Sequence, residues 1–153
     1  MGYSSAFTQG ITLLVIINSL AEATGDPIVP TKALAEYANI PFATAVKTLK
    51  RLSSAGITAT KEGAGGGSML ARPASEITLL DIFQAVEQDS PLFKIHRSNC
   101  QNDHVEAMKK RVEGFIGNAA DAMKNSLKGV TLKDIGDGEN PCQDGCAQKG
   151  HAK

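Results

Sequence analysis

Few residues in this 153-residue chain could carry covalent or metal chemistry: three cysteines, at 100, 142 and 146, and three histidines, at 96, 104 and 151. Cys142, Cys146 and His151 have a loose metal-like spacing, but no second Cys/His pair completes a zinc site. No metal site is expected. Cys100 follows His96 and Arg97, and cationic neighbours lower a thiol's pKa, which makes it the redox candidate. A disulfide within the tail, or from the tail to Cys100, is the alternative under oxidation. No nucleophile, base and orienting group recur together and no acid pair stands out, so catalysis is not expected. Gly63, Gly65, Gly66 and Gly67 could cradle a phosphate, but no Lys-Ser/Thr follows them as in a P-loop. They read as a tight turn.

The chemistry left is recognition, and it concentrates between Ile40 and Arg72. Pro41 suits the first turn of a helix. Val46, Leu49 and Leu52, joined by Ile40, form its expected inner face. Thr44, Lys47, Thr48 and Arg51 recur at three- and four-residue steps on another face, with Lys50 beside it. Gly56 is placed to stop the helix in the left-handed conformation. Ile57 to Lys61 reads as a strand, Gly63 to Gly67 as its turn, and Ser68 to Arg72 as the return strand. A helix with a polar, basic face followed by a hairpin is the layout of a winged helix-turn-helix. Pro41, Thr44, Lys47, Thr48 and Arg51 are the expected DNA contacts, with Lys61 on the wing.

The remaining elements must position that unit. Ser4 and Ser5 are candidate caps for a helix over about 6–23 whose centre, Ile11 to Ile17, is apolar nearly all round and so buried on several sides. That run is too short to span a bilayer, and the chain opens without a basic cleavable leader. A cytoplasmic protein with free thiols is the expectation, with no membrane partner. Ile28 and Val29 suit a short strand joining the wing. Thr31 is the expected cap of a second helix ending near Ala38. Thr78 and Asp81 form an approximate capping box for a fourth helix, which should pack back on the first.

From His104 to about Leu127 a long amphipathic helix is expected. Val105, Met108, Val112, Phe115, Ala119 and Ala122 follow one another at three- and four-residue steps, and Ile116 and Met123 widen the stripe. So broad an apolar face needs a partner surface, and a second copy of the chain is the expected one. The fold class is mainly α with a small β wing: a winged helix-turn-helix over 1–88, a sensor-type loop over 89–103, a dimerisation helix and its end over 104–135, and a polar tail over 136–153. Sixteen basic residues balance sixteen acidic ones overall. Within 31–72, however, Lys32, Lys47, Lys50, Arg51, Lys61 and Arg72 face only Glu36 and Glu62. A basic segment on an acidic remainder is the footprint of a local nucleic-acid face.

The run from Gly63 to Glu87, GAGGGSMLARPASEITLLDIFQAVE, resembles the signature of the Rrf-two family of bacterial transcriptional regulators. So do the opening SSAFT at 4–8, the AGI at 55–57, and the closing VTLKDI at 130–135, which echoes ITLLDI at 77–82. The resemblance covers about 3–135. It implies a homodimeric winged-helix DNA-binding regulator; a repressor is the expectation, with two recognition helices entering successive major grooves of a palindromic duplex operator. Many members sense through an iron–sulfur cluster held by three closely spaced cysteines before the dimer helix. This chain has only Cys100 there, so the cluster is expected to be missing. Members often carry an arginine just before the first wing glycine, where this chain has Glu62, with Lys61 preceding it. Two rival readings stay open. One is a winged-helix protein-interaction scaffold that does not touch DNA, consistent with Glu62 and zero net charge. The other is a regulator with a small-ligand pocket between the first helix and the dimer helix.

Overall fold

The core is built around α1 (Ala6–Thr24). In this computed structural model residues 5–87, 93 and 102–136 are described. By length and composition α1 is able to cross a membrane. Here, though, Leu13, Leu14 and Ile17 are fully enclosed by protein, and removing one such side chain costs about 2–5 kcal/mol. Against α1 pack α2 (Thr31–Ala38), α3 (Phe42–Ser54), α4 (Leu79–Val86) and α6 (Leu132–Gly136). Phe7 of α1 meets Phe83 of α4 edge to face, with ring centroids 5.4 Å apart. The fourth helix thus returns to the first, as expected.

The wing is a two-stranded antiparallel sheet, β1 (Thr58–Lys61) and β2 (Gly67–Leu70), with Lys61 opposite Gly67. The turn is therefore 62–66. Gly67, expected in the turn, opens the return strand instead. Its reason for being glycine is a close approach: a Cβ there would lie 2.2 Å from the Val29 carbonyl oxygen. Val29 exchanges both backbone hydrogen bonds with Ser68 at 2.9 Å, so the short strand predicted at 28–29 is a single bridge that ties the wing to the segment before α2.

Helix ends follow local chemistry with small departures. Gly56 adopts φ +71°, and the Gly56 and Ile57 amides donate to Ser53 and Leu52 carbonyls at 3.0 Å, the double bond of a Schellman stop. Asn39 ends α2 the same way, with φ 52° and bonds from Asn39 and Ile40 amides to Glu36 and Ala35 carbonyls. Two expected caps are absent. Thr31 is the first helical residue, after Pro30, and Ser5 holds the cap position of α1 in a helical conformation without a side-chain capping bond.

The echoed sequence motif has a structural meaning. Thr78 and Thr131 pair as an antiparallel bridge. The Leu79 amide donates to the Val130 carbonyl at 2.9 Å, and the Leu132 amide donates to the Ile77 carbonyl at 2.8 Å. Each copy then starts a helix through the same box. The Thr78 amide donates to Asp81 Oδ2 at 3.0 Å and the Asp81 amide to Thr78 Oγ1 at 3.1 Å. The Thr131 amide and hydroxyl donate to Asp134 Oδ2 at 2.7 Å, and the Asp134 amide donates to Thr131 Oγ1 at 3.3 Å. The Thr131 hydroxyl and amide, with some help from Lys133, hold the Asp134 carboxyl below its usual range. Ile77 and Leu132 are sealed in the core beside this bridge. The chain end after α5 (Asp103–Lys128) is thereby fastened to the winged-helix body.

Candidate nucleic-acid interface

The α2–turn–α3 unit sets one helix face outward. Pro41 precedes α3, and its carbonyl accepts from the Thr44 and Ala45 amides at 2.9 and 3.0 Å. The buried face of α3 is Ala45, Thr48, Leu49 and Leu52. The opposite face exposes Phe42, Ala43, Val46, Lys47 and Lys50, while Thr44 is half-buried.

Two expectations about α3 are overturned, and a third residue, Arg51, is engaged within the fold. Thr48, assigned to DNA, is only 4% exposed. Its Cγ2 lies 3.8 Å from where a Cβ on Gly10 would sit. A Cβ there would lie nearer still, 3.4 Å, to Ile82 Cγ2 and Val86 Cγ1 of α4, so Thr48 sits where α1, α3 and α4 meet. Val46, assigned to the core, is 42% exposed. Arg51, also assigned to DNA, turns inward: its Nη1 donates to the Val86 carbonyl at 2.6 Å. Val86 ends α4, where carbonyls lack helical partners and a cation is favoured by the helix dipole. Arg51 is a strut between α3 and α4.

Arg72 is likewise engaged within the fold. It lies 3.6 Å from the Asp81 carboxylate and donates to the Glu76 carbonyl at 3.4 Å. Of the six basic residues in 31–72, Lys32, Lys47, Lys50 and Lys61 are left exposed, with no ion pair among the described residues. Glu36 and Glu62 are the exposed acids of the same stretch. Lys32 and Glu36 line an open groove of about 670 Å³ with Asn39, Ile40, Pro41 and Phe42, at the junction of the two helices.

The second feature is α5. None of its residues is buried. Its apolar residues divide into two seams. Val105, Ile116, Met123 and Leu127 are half-buried, on a helix that packs against α4. Met108, Val112 and Phe115 are 59%, 44% and 75% exposed, and Ala119 and Ala122 continue this seam in the open. The residues named for dimerisation thus fall on two faces. Cys100 and the rest of 94–101, with Cys142, Cys146 and His151, lie outside the described residues. So do the expected sensor loop, in its greater part, and the tail beyond 136.

Comparison with known proteins accords with this geometry. Residues 3–138 match the family model Rrf2, described as an iron-dependent transcriptional regulator. YwnA of Bacillus subtilis (strain 168), named as an HTH-type transcriptional regulator, is 25% identical over 124 residues, covering 80% of this chain and 92% of YwnA. Among solved structures, T. potens IscR superposes with a TM-score of 0.63 at 19% identity, covering 99% of this chain and 94% of that one, a likeness of fold. Staphylococcus aureus CymR superposes with a TM-score of 0.58 at 25% identity, over 88% of this chain and 97% of that one.

Proposed function

Because the chain belongs to the Rrf2 family of transcriptional regulators, we propose that it acts as a homodimer that seats two copies of α3 in successive major grooves of a palindromic operator. DNA binding and transcriptional regulation are the family's function, and its relatives are regulators rather than enzymes. The observation that carries the dimer is the open seam of α5, from Met108 through Phe115 to Ala122. A helix in water does not keep so large an apolar stripe without a partner. A two-fold axis through it would also present two recognition helices to two half-sites. The T-x-x-D bridge between Thr78 and Thr131 would hold the α5 axis at a fixed angle to α3, so the dimer would set half-site spacing.

The sense proposed is repression, in the cytoplasm: a dimer seated across two grooves occludes the promoter it occupies. Although the family is described as iron-dependent, the residues do not fit a three-cysteine cluster site. Segment 89–103 supplies Cys100 alone. The input is therefore proposed to be cluster-free, with Cys100 as a thiol that responds to oxidation.

Selection of bound duplexes from a random pool tests this reading, with the protein reduced and then oxidised. An enriched palindrome is the expected result, and its loss on oxidation, prevented by Cys100→Ser, would assign the thiol. No enrichment in either state would favour the protein-interaction scaffold, which the exposed Glu62 at the wing would suit.

A further inference from the structure

The outer face of α3 has two chemistries, and only one is electrostatic. Lys47 and Lys50 are exposed cations, with Lys32 across the groove. Ahead of them, Phe42 is 56% and Val46 42% exposed, and Ala43 lies open between them. Single exposed apolar residues are ordinary on a protein surface. Three on adjoining positions of one helix face form a patch, and a patch implies an occupant. The fold does not need them there, since Ala45, Thr48, Leu49 and Leu52 already make the buried side.

The patch occupies the first half of α3, the half of a recognition helix that comes nearest to base edges. The lysines beside it complement phosphates. In the major groove the apolar group that a base pair presents is the C5 methyl of thymine. None of the exposed positions 42, 43, 46, 47 and 50 holds the Asn or Gln that pairs with adenine or the Arg fork that pairs with guanine, and Lys47 and Lys50 are the groups there able to donate to a guanine edge. We propose that Phe42, Ala43 and Val46 read thymine methyl groups, so that each half-site is specified by where its thymines stand. The inference rests on α3 being the recognition helix of the proposed DNA complex.

Uracil tests it, because a thymine-to-uracil change keeps every hydrogen-bonding group and removes only the methyl. Affinity of the full-length protein is measured for the selected operator and for the same duplex with deoxyuridine in place of thymidine. The expected loss is about fourfold for each methyl engaged. Val46→Ala and Phe42→Ala should each bind the thymine duplex less well and show a smaller uracil penalty. Lys47→Ala should weaken both duplexes alike, with the uracil penalty intact. Equal wild-type affinity for the two duplexes would overturn the inference while leaving DNA binding standing. So would a uracil penalty undiminished in both apolar variants, since the methyls would then act through duplex shape. A selected operator with no thymine in its half-sites would do the same. No affinity for any duplex would remove the DNA-binding reading and this inference together.

Discussion

Replacing Arg51 by Met separates a strut from a DNA contact. Methionine keeps an unbranched apolar stem and removes the guanidinium. What is lost is the bond from Nη1 to the Val86 carbonyl, 2.6 Å long and partly buried. A hydrogen bond from a charged donor contributes roughly 1.5–3 kcal/mol net. For a chain of this size that corresponds to a fall in Tm of roughly 3–12 °C. The DNA-facing lysines should behave in the opposite way. Lys47 is exposed and makes no ion pair among the described residues, so Lys47→Ala should leave Tm nearly unchanged. It should weaken DNA binding and lower the slope of log affinity against log salt by about one, the release of one condensed counterion. Thermal unfolding and salt titrations of both variants make the comparison. Arg51→Met is expected to lose stability and keep the wild-type salt slope, measured well below its Tm. An Arg51→Met protein as stable as wild type, with a flatter slope, would refute the strut and return the guanidinium to the DNA.

Further outcomes follow from the same geometry. Phe115, 75% exposed at the centre of the open α5 seam, should be essential for pairing: Phe115→Glu is expected to run as a monomer in sedimentation, keep its helicity, and lose operator affinity. The depressed Asp134 carboxyl should stabilise the α6 end at neutral pH. That contribution is fully present above the unfolded value of 3.8 and is lost as pH falls through the lower folded value. The gap in thermal stability between wild type and Asp134→Asn should therefore close on acidification below that value, and a gap unchanged with pH would contradict the box. Glu62, exposed at the wing beside Lys61, should repel phosphates, so Glu62→Lys is expected to raise operator affinity and steepen its salt dependence. No change in either would place the wing tip away from the duplex.

The elements were legible in the sequence wherever one residue type has one structural use. Gly56 stopped α3, the glycine run turned the wing, Thr78 and Asp81 capped α4, and the apolar steps of 104–127 marked a long helix. Side assignment on α3 was less legible, because Thr48 and Val46 exchanged roles. Hydrophobic periodicity favours a large apolar residue for the core, yet the buried side of α3 takes Ala45 and Thr48, and Thr48 sits beside Gly10 where α1, α3 and α4 meet. That placement belongs to the packed helices together and is invisible in any one alone. The inward bond of Arg51 was not legible for a related reason: its partner, the Val86 carbonyl, is backbone and lies 35 residues away. The echo of ITLLDI in VTLKDI was visible, but not that the two copies pair with each other. A signal for the methyl-reading patch was present in Phe42, Ala43 and Val46. It became readable once the buried face of α3 was fixed.

The central claim is that the open face of α3 lies against DNA. A photoreactive residue at position 47, irradiated with the selected operator, tests it most directly, with the same residue at the exposed position 124 on α5 as the comparison. A covalent protein–DNA adduct from position 47 alone is the predicted result. Adducts from position 124 and none from 47 would contradict the account.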